Sequence, residues 1–267
     1  MSRSGSTCIR LKAMTMLKAL LVIAGCSPAL FAGGKVISWN VDGIKRQAIV
    51  YAPASLSGKT PVVLSFHGHG DNMQNFQTVD LQDAWRDAIV VYPQGLPTSR
   101  PGAPGLPGWQ TETGTYQDRD LKLVDTILAA LHQQYSIDDN RVYATGFSNG
   151  AIFTYLLWAE RPTVFAAFAP VAARLGASVS LTVPKPILHI VGRDDYTIPF
   201  EAQKKAIDAA RQVDQVSNKG ENCGMNCTLY KSPNGSPVMT IIHPGGHEYP
   251  DGTSEAIVKF FKAHPRQ

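Results

Sequence analysis

The sequence has little of what a zinc protein, a nucleic-acid binder or a membrane-spanning protein requires. Its 267 residues hold four cysteines, and two of these, Cys8 and Cys26, lie at the N-terminal end. The rest of the chain keeps only Cys223 and Cys227, in "ENCGMNCTLY". That stretch offers too few ligands for a zinc site. Two thiols across a glycine can instead close a small loop in an oxidising compartment, so a Cys223–Cys227 disulfide is expected. Acidic residues are absent from the first 25 positions, which carry Arg3, Arg10, Lys12 and Lys18. The remainder has 21 basic and 21 acidic groups, so the formal charge of +4 belongs to the leader. That neutral body has no Lys/Arg block interleaved with aromatics, which argues against nucleic acid as a partner. No internal repeat or low-complexity tract is visible.

The leader's basic residues, then the apolar run Ala19–Gly25, then Cys26, read as an export signal. The run is too short to span a bilayer. Ile23-Ala24-Gly25-Cys26 resembles a bacterial lipobox, which would make Cys26 a lipidated N-terminus and attach the protein to a membrane. Ordinary cleavage near Leu30–Gly34 is the competing reading, and Met14 or Met16 is an alternative start. The expected division is a signal over 1–25 and one domain over 26–267. The expected location is the periplasm, the outer membrane as a lipoprotein, or the extracellular space. A monomer is expected.

Along the body, Lys35–Val41 and Gln47–Pro53 read as an antiparallel pair around Asp42-Gly43. Pro61–His67, Ala88–Pro93, Arg141–Phe147, Ala166–Ala172 and Pro186–Gly192 are apolar runs of buried-strand type. Helical stretches fall at Met73–Arg86, Asp118–Gln134, Asn149–Ala159, Phe200–Val213 and Ser254–Ala263, and a hairpin-like pair at Thr228–Lys231 and Val238–His243. Gln94–Gly108, with four prolines and four glycines, is expected to be a functional loop without regular structure. Buried strands alternating with helices specify an α/β fold, a mostly parallel sheet flanked by helices in a single domain.

"VYATGFSNGAIFTYLL" sets Ser148 between Gly146 and Gly150, where a strand passes into a helix. That is the context of a nucleophile elbow. A serine hydroxyl needs a base, and the base needs a carboxylate to fix its tautomer. Asp194 and Asp195 follow a strand, and His247 lies in a loop after the last strand; the rival His243 ends that strand. The order Ser, Asp, His is that of an α/β-hydrolase. In "FHGHGDN", Gly68 and Gly70 let backbone N–H groups face a developing negative charge, so the N–H groups of His69 and Asn149 are the expected oxyanion hole. His67-x-His69 lacks a third ligand, so no metal is expected, and His67 is read as a brace. Trp109 and Gln110 are read as walls of an acyl pocket, with a core-plugging Trp as the alternative. Asp118-Arg119-Asp120 reads as a helix cap with a structural ion pair.

These stretches resemble the secreted esterase family that includes poly(3-hydroxybutyrate) depolymerases and bacterial feruloyl esterases. The similarity runs from about Val50 to the last helix, through "FHGHGDN", "VYPQGLP", "PGWQ", "DRDLKLVDTIL", "IDDNRVYATGFSNGA", "RPTVFAAFAPVAA" and "GGHEYP". The resemblance implies an α/β-hydrolase without cofactor that hydrolyses small or polymer-linked esters. It places the base at His247. It selects Asp195 through the G-x-x-D-x-x-x-P pattern of Gly192–Pro199. Arg193, where the family often has Thr, and Glu248-Tyr249, where it often has Trp, bear on the pocket wall. Aryl or hydroxycinnamoyl esters are the expected substrates. Poly(3-hydroxybutyrate) and acetyl-xylan esters are the alternatives, followed by a serine peptidase or a non-catalytic binding module.

Overall fold

The computed structural model describes residues 33–55, 58–100 and 103–266. The expected export signal, Cys26 and the expected boundary between signal and domain lie outside them.

Strands that are apolar without alternation pair on both sides and are covered on both faces. The chain opens with β1 (Lys35–Val41), β2 (Ile44–Tyr51) and β3 (Thr60–Phe66). Then come α1 (Met73–Phe76), α2 (Leu81–Ala84), β4 (Ile89–Pro93), β5 (Leu96–Arg100), β6 (Ala103–Gly108) and α3 (Arg119–Gln134). The middle holds β7 (Ile137–Phe147), α4 (Asn149–Glu160), β8 (Ala167–Val171), β9 (Ile187–Gly192) and α5 (Phe200–Val213). The end supplies β10 (Glu221–Gly224), β11 (Cys227–Tyr230), β12 (Val238–His243) and α6 (Thr253–Ala263). Every residue of β3, β4, β8 and β9 is buried.

Ten strands form one sheet in the order β1-β2-β4-β3-β7-β8-β9-β12-β11-β10. The strands from β4 to β12 run parallel, and an antiparallel pair closes each edge. One apolar cluster lies under α3, α4 and α5, and a second under α1, α2 and α6. The helix α4 is apolar on all sides, as a fully covered helix must be. The order reverses at β3: β4 lies on one side of it and β7 on the other. Open α/β sheets put their sites at the carboxyl ends of strands beside such a switch.

Two elements differ from expectation. Met73–Arg86 is not one helix, because Asp80 adopts φ 58° and separates α1 with its 3-10 turn from α2. The Tyr92 hydroxyl holds the break, accepting from Leu81 N at 3.1 Å and donating to Gln82 Oε1 at 2.6 Å. The proline- and glycine-rich stretch is not an irregular loop but the hairpin β5–β6. Pro97 stands opposite Pro107, so that position is a non-hydrogen-bonded one where neither missing N–H is needed. The Cys223–Cys227 disulfide is formed and ties β10 to β11.

Candidate active site

The elbow is built from close backbone contacts. Ser148 sits at φ 54°, ψ −118°, a strained conformation for a residue with a side chain. Its own N–H is held by Val171 O of β8 at 2.9 Å. A Cβ on Gly150 would lie 2.1 Å from Phe66 O, and one on Gly146 would lie 2.7 Å from Gly150 C. Only glycine lets α4 start this near the end of β3.

The partners arrive at the same edge by register. Gly192 of β9 faces His243 of β12, so the loops that follow leave the sheet side by side. A Cβ at Gly192 would meet Gly246 O at 2.1 Å, which is how closely the second loop crosses the first. His247 Nε2 lies 2.8 Å from Ser148 Oγ, and His247 Nδ1 lies 2.8 Å from Asp195 Oδ2. Asp195 is buried, and its Oδ1 accepts from Thr197 N at 2.9 Å and Ile198 N at 2.8 Å. Gln203 Nε2 donates to Oδ2 at 2.9 Å. The carboxylate can therefore accept from His247 Nδ1–H, which leaves Nε2 to take a proton from Ser148. Phe147 packs its ring 4.9 Å from that of His247. Asp194 is exposed, and its backbone N–H meets Gly245 O at 3.0 Å. His243 Nδ1 accepts from Gly245 N at 3.2 Å within its own turn.

A cleft of about 880 Å³ opens over Ser148. His69 and Asn149, whose N–H groups are the expected oxyanion donors, line it too. The N–H of Asn149 stands at the first position of α4, where no helical carbonyl reaches it. The His69 loop packs on the elbow: a Cβ at Gly68 would lie 3.6 Å from Ser148 Cβ. His67 braces it from below. Its Nε2 accepts from Gly95 N at 2.9 Å, so the proton is on Nδ1, which donates to Gly68 O at 2.7 Å. Burial lowers the His67 pKa, which favours this neutral form.

The two expected pocket residues fare differently. Trp109 touches the cleft, but its ring is 1% exposed and stacked on Phe153, with Nε1 bonded to His67 O at 2.9 Å. It is core that reaches the cleft floor and offers no free face. Gln110 does not line the cleft. It is fully buried, and its amide is spent on Glu112 O, Asp118 Oδ1 and the N–H of Asp120. The walls that sequence reasoning missed are the hydroxyl side chains Thr98, Ser99, Thr111, Thr115, Tyr116 and Thr197, the charged Glu112 and Arg174, and the apolar Ile152 and Ile198. Thr98 and Ser99 lie in the stretch already singled out as functional, and Ile198 lies between Asp195 and Pro199; those were the available signals. Asn149 also does more than expected. Its side chain accepts from Trp109 N at 2.7 Å and donates to Trp109 O at 3.1 Å, clamping the cleft floor to the elbow.

Residues 46–185 match the family described as Esterase PHB depolymerase. The chain belongs to that family. It is a family of carboxylic ester hydrolases. Among similar proteins, a bifunctional acetylxylan esterase/xylanase from Neocallimastix patriciarum is 31% identical over 201 residues, 71% of this chain but only 28% of that much longer protein. A probable feruloyl esterase C from Aspergillus flavus is 26% identical over 283 residues, covering 96% of this chain and 98% of its own. Among solved structures, the acetyl xylan esterase from Aspergillus awamori matches with a TM-score of 0.66 at 15% identity, over 86% of this chain and 100% of that one. At that identity the likeness is one of fold. The α/β-hydrolase fold expected from the strand and helix order is the one observed.

Proposed function

We propose that this family member is an exported serine esterase that cleaves acyl groups, of hydroxycinnamoyl type, from carbohydrate. Ser148 attacks the ester carbonyl while His247 Nε2 takes its proton. Asp195 holds the imidazole and stabilises the imidazolium. The N–H groups of His69 and Asn149 receive the oxyanion, and collapse expels the alcohol with the proton returned from His247. Water then repeats the sequence on the acyl-serine, releasing the acid.

The observation that carries this reading is the unbroken contact from Ser148 Oγ through His247 to Asp195 at 2.8 Å on each side, under an open cleft. The lining supports the carbohydrate side of this reading. Apolar side chains are confined to Ile152, Ile198 and the buried Trp109, whereas hydroxyls, one charge of each sign, His69 and Asn149 make up the rest. A sugar-borne ester fits such a wall; a hydrophobic polyester chain would bury its methyl groups against hydroxyls. The disulfide suits an oxidising compartment, which supports export. The test is a panel of feruloyl, acetyl-xylan, short aliphatic and poly(3-hydroxybutyrate) esters on wild type and Ser148→Ala. Highest kcat/KM on the feruloyl sugar ester, abolished in Ser148→Ala, is the expected result. Equal turnover by Ser148→Ala would end the serine mechanism, and a preference for the polyester would end the substrate assignment.

A further inference from the structure

A carboxylate that orients a base must itself be held. Asp195 Oδ1 is held by the N–H groups of its own loop. Oδ2, the oxygen that meets His247, takes its second donor from outside that loop, from Gln203 on α5. Gln203 is completely buried, and the same Nε2 also donates to Ile198 O at 2.7 Å. Both amide hydrogens are thus committed, and Oε1 is turned away from Asp195.

We infer that Gln203 is a positioning residue for Asp195, and that Ile198 O fixes which way round its amide sits. The inference rests on the proposed Ser148–His247–Asp195 relay. A flipped amide would aim Oε1 at Asp195 Oδ2, acceptor against acceptor at the distance where a donor now stands, and would do the same at Ile198 O.

The test is steady-state hydrolysis of a p-nitrophenyl ester by the full chain and by Gln203→Met, Gln203→Asn and Asp195→Asn. It is accompanied by the downfield proton resonance of the His247–Asp195 hydrogen bond. Gln203→Met should lower kcat about tenfold with KM within about twofold of wild type, the loss of one hydrogen bond to a charged group. Gln203→Asn, whose shorter side chain draws the amide back from Oδ2, should lower kcat about threefold in the same pattern. Both should shift the resonance. A lower melting temperature with kcat and the resonance unchanged would make Gln203 packing only and overturn the inference, as would a loss confined to KM. If Gln203→Met does not fold, Gln203→Asn decides alone, and unchanged kcat overturns the inference. Full activity in Asp195→Asn would instead sink the relay and the inference with it, so the two failures are distinguishable.

Discussion

Two adjacent carboxylates differ completely in their surroundings. Asp195 is buried with donors on both oxygens, whereas Asp194 is exposed. In the proposed mechanism, Asp195→Asn turns an NH₂ or a neutral oxygen toward His247 and loses control of the tautomer. It should lower kcat by on the order of 10³–10⁴-fold, and Asp194→Asn should leave it nearly unchanged. Comparable losses would mean that the register from Gly192 to Pro199 has been misread. Spacing from a strand end cannot separate neighbours, since both lie over the sheet edge; the family pattern separated them. Trp109 was harder to read. A sequence shows that an indole follows a breaker-rich stretch, but not that Phe153, far along the chain on α4, takes its face and His67 O its N–H. Both contacts are long-range and leave no periodic trace.

At the scale of elements, strands and helices with strong periodicity were legible, and those shaped by side-chain anchoring were not. The helix α5 and the strand β1 have the bounds that their patterns predict. The hairpin β5–β6 escaped because its prolines suggest breakage, yet the opposed Pro97 and Pro107 still pair, and the register shifts only beyond them, between Thr98 and Arg100. What fixes that hairpin over the cleft is also nonlocal: Gly70 N donates to Pro107 O at 2.7 Å, and Ser99 N donates to the Tyr116 hydroxyl at 2.8 Å. The ion pair expected near Asp118-Arg119-Asp120 is present, with Arg119 3.9 Å from Asp120, and a second cation, Arg46, lies nearer at 2.8 Å with both side chains buried. The expected cap is not made: Asp118 Oδ1 accepts from Gly114 N and Gln110 Nε2 instead. Asp120 Oδ2 also accepts from Gln110 N at 2.8 Å, so one carboxylate ties β2 to α3 and to the strand-end loop at Trp109. Asp120→Ala leaves the guanidinium buried without its counter-charge. It should cost about 3–5 kcal/mol in denaturant unfolding, whereas breaking an exposed pair such as Lys204–Asp208 should change stability hardly at all. A loss below about 1 kcal/mol for Asp120→Ala would mean that water reaches Arg46.

For the molecule as a whole, the sheet order gathers every proposed catalytic group at one edge, while the C-terminal end of α5 carries a separate electrostatic stress. Asp214 caps α5 in a fully buried position. Its Oδ1 accepts from Lys185 N at 2.8 Å, and burial raises its pKa to about 8 from an unfolded value near 3.8. The neighbouring Lys185 ammonium donates to Phe165 O at 2.9 Å, and burial lowers its own pKa. The folded protein therefore binds the Asp214 proton more tightly than the unfolded chain does. Between about pH 4 and pH 8 the unfolded chain has released that proton and the folded one retains it, so stability falls as pH rises through this window and levels off above it. Asn at this position keeps the acceptor for Lys185 N and has no proton to lose. Asp214→Asn should consequently raise Tm over wild type by roughly 5 °C or more at pH 8.5. At pH 4 it should match wild type closely, with the gap opening steadily between the two. Thermal unfolding of both proteins across that range measures the gap directly. A gap that stays constant with pH would mean that the Asp214 carboxyl titrates near its ordinary value and that solvent enters beside α5.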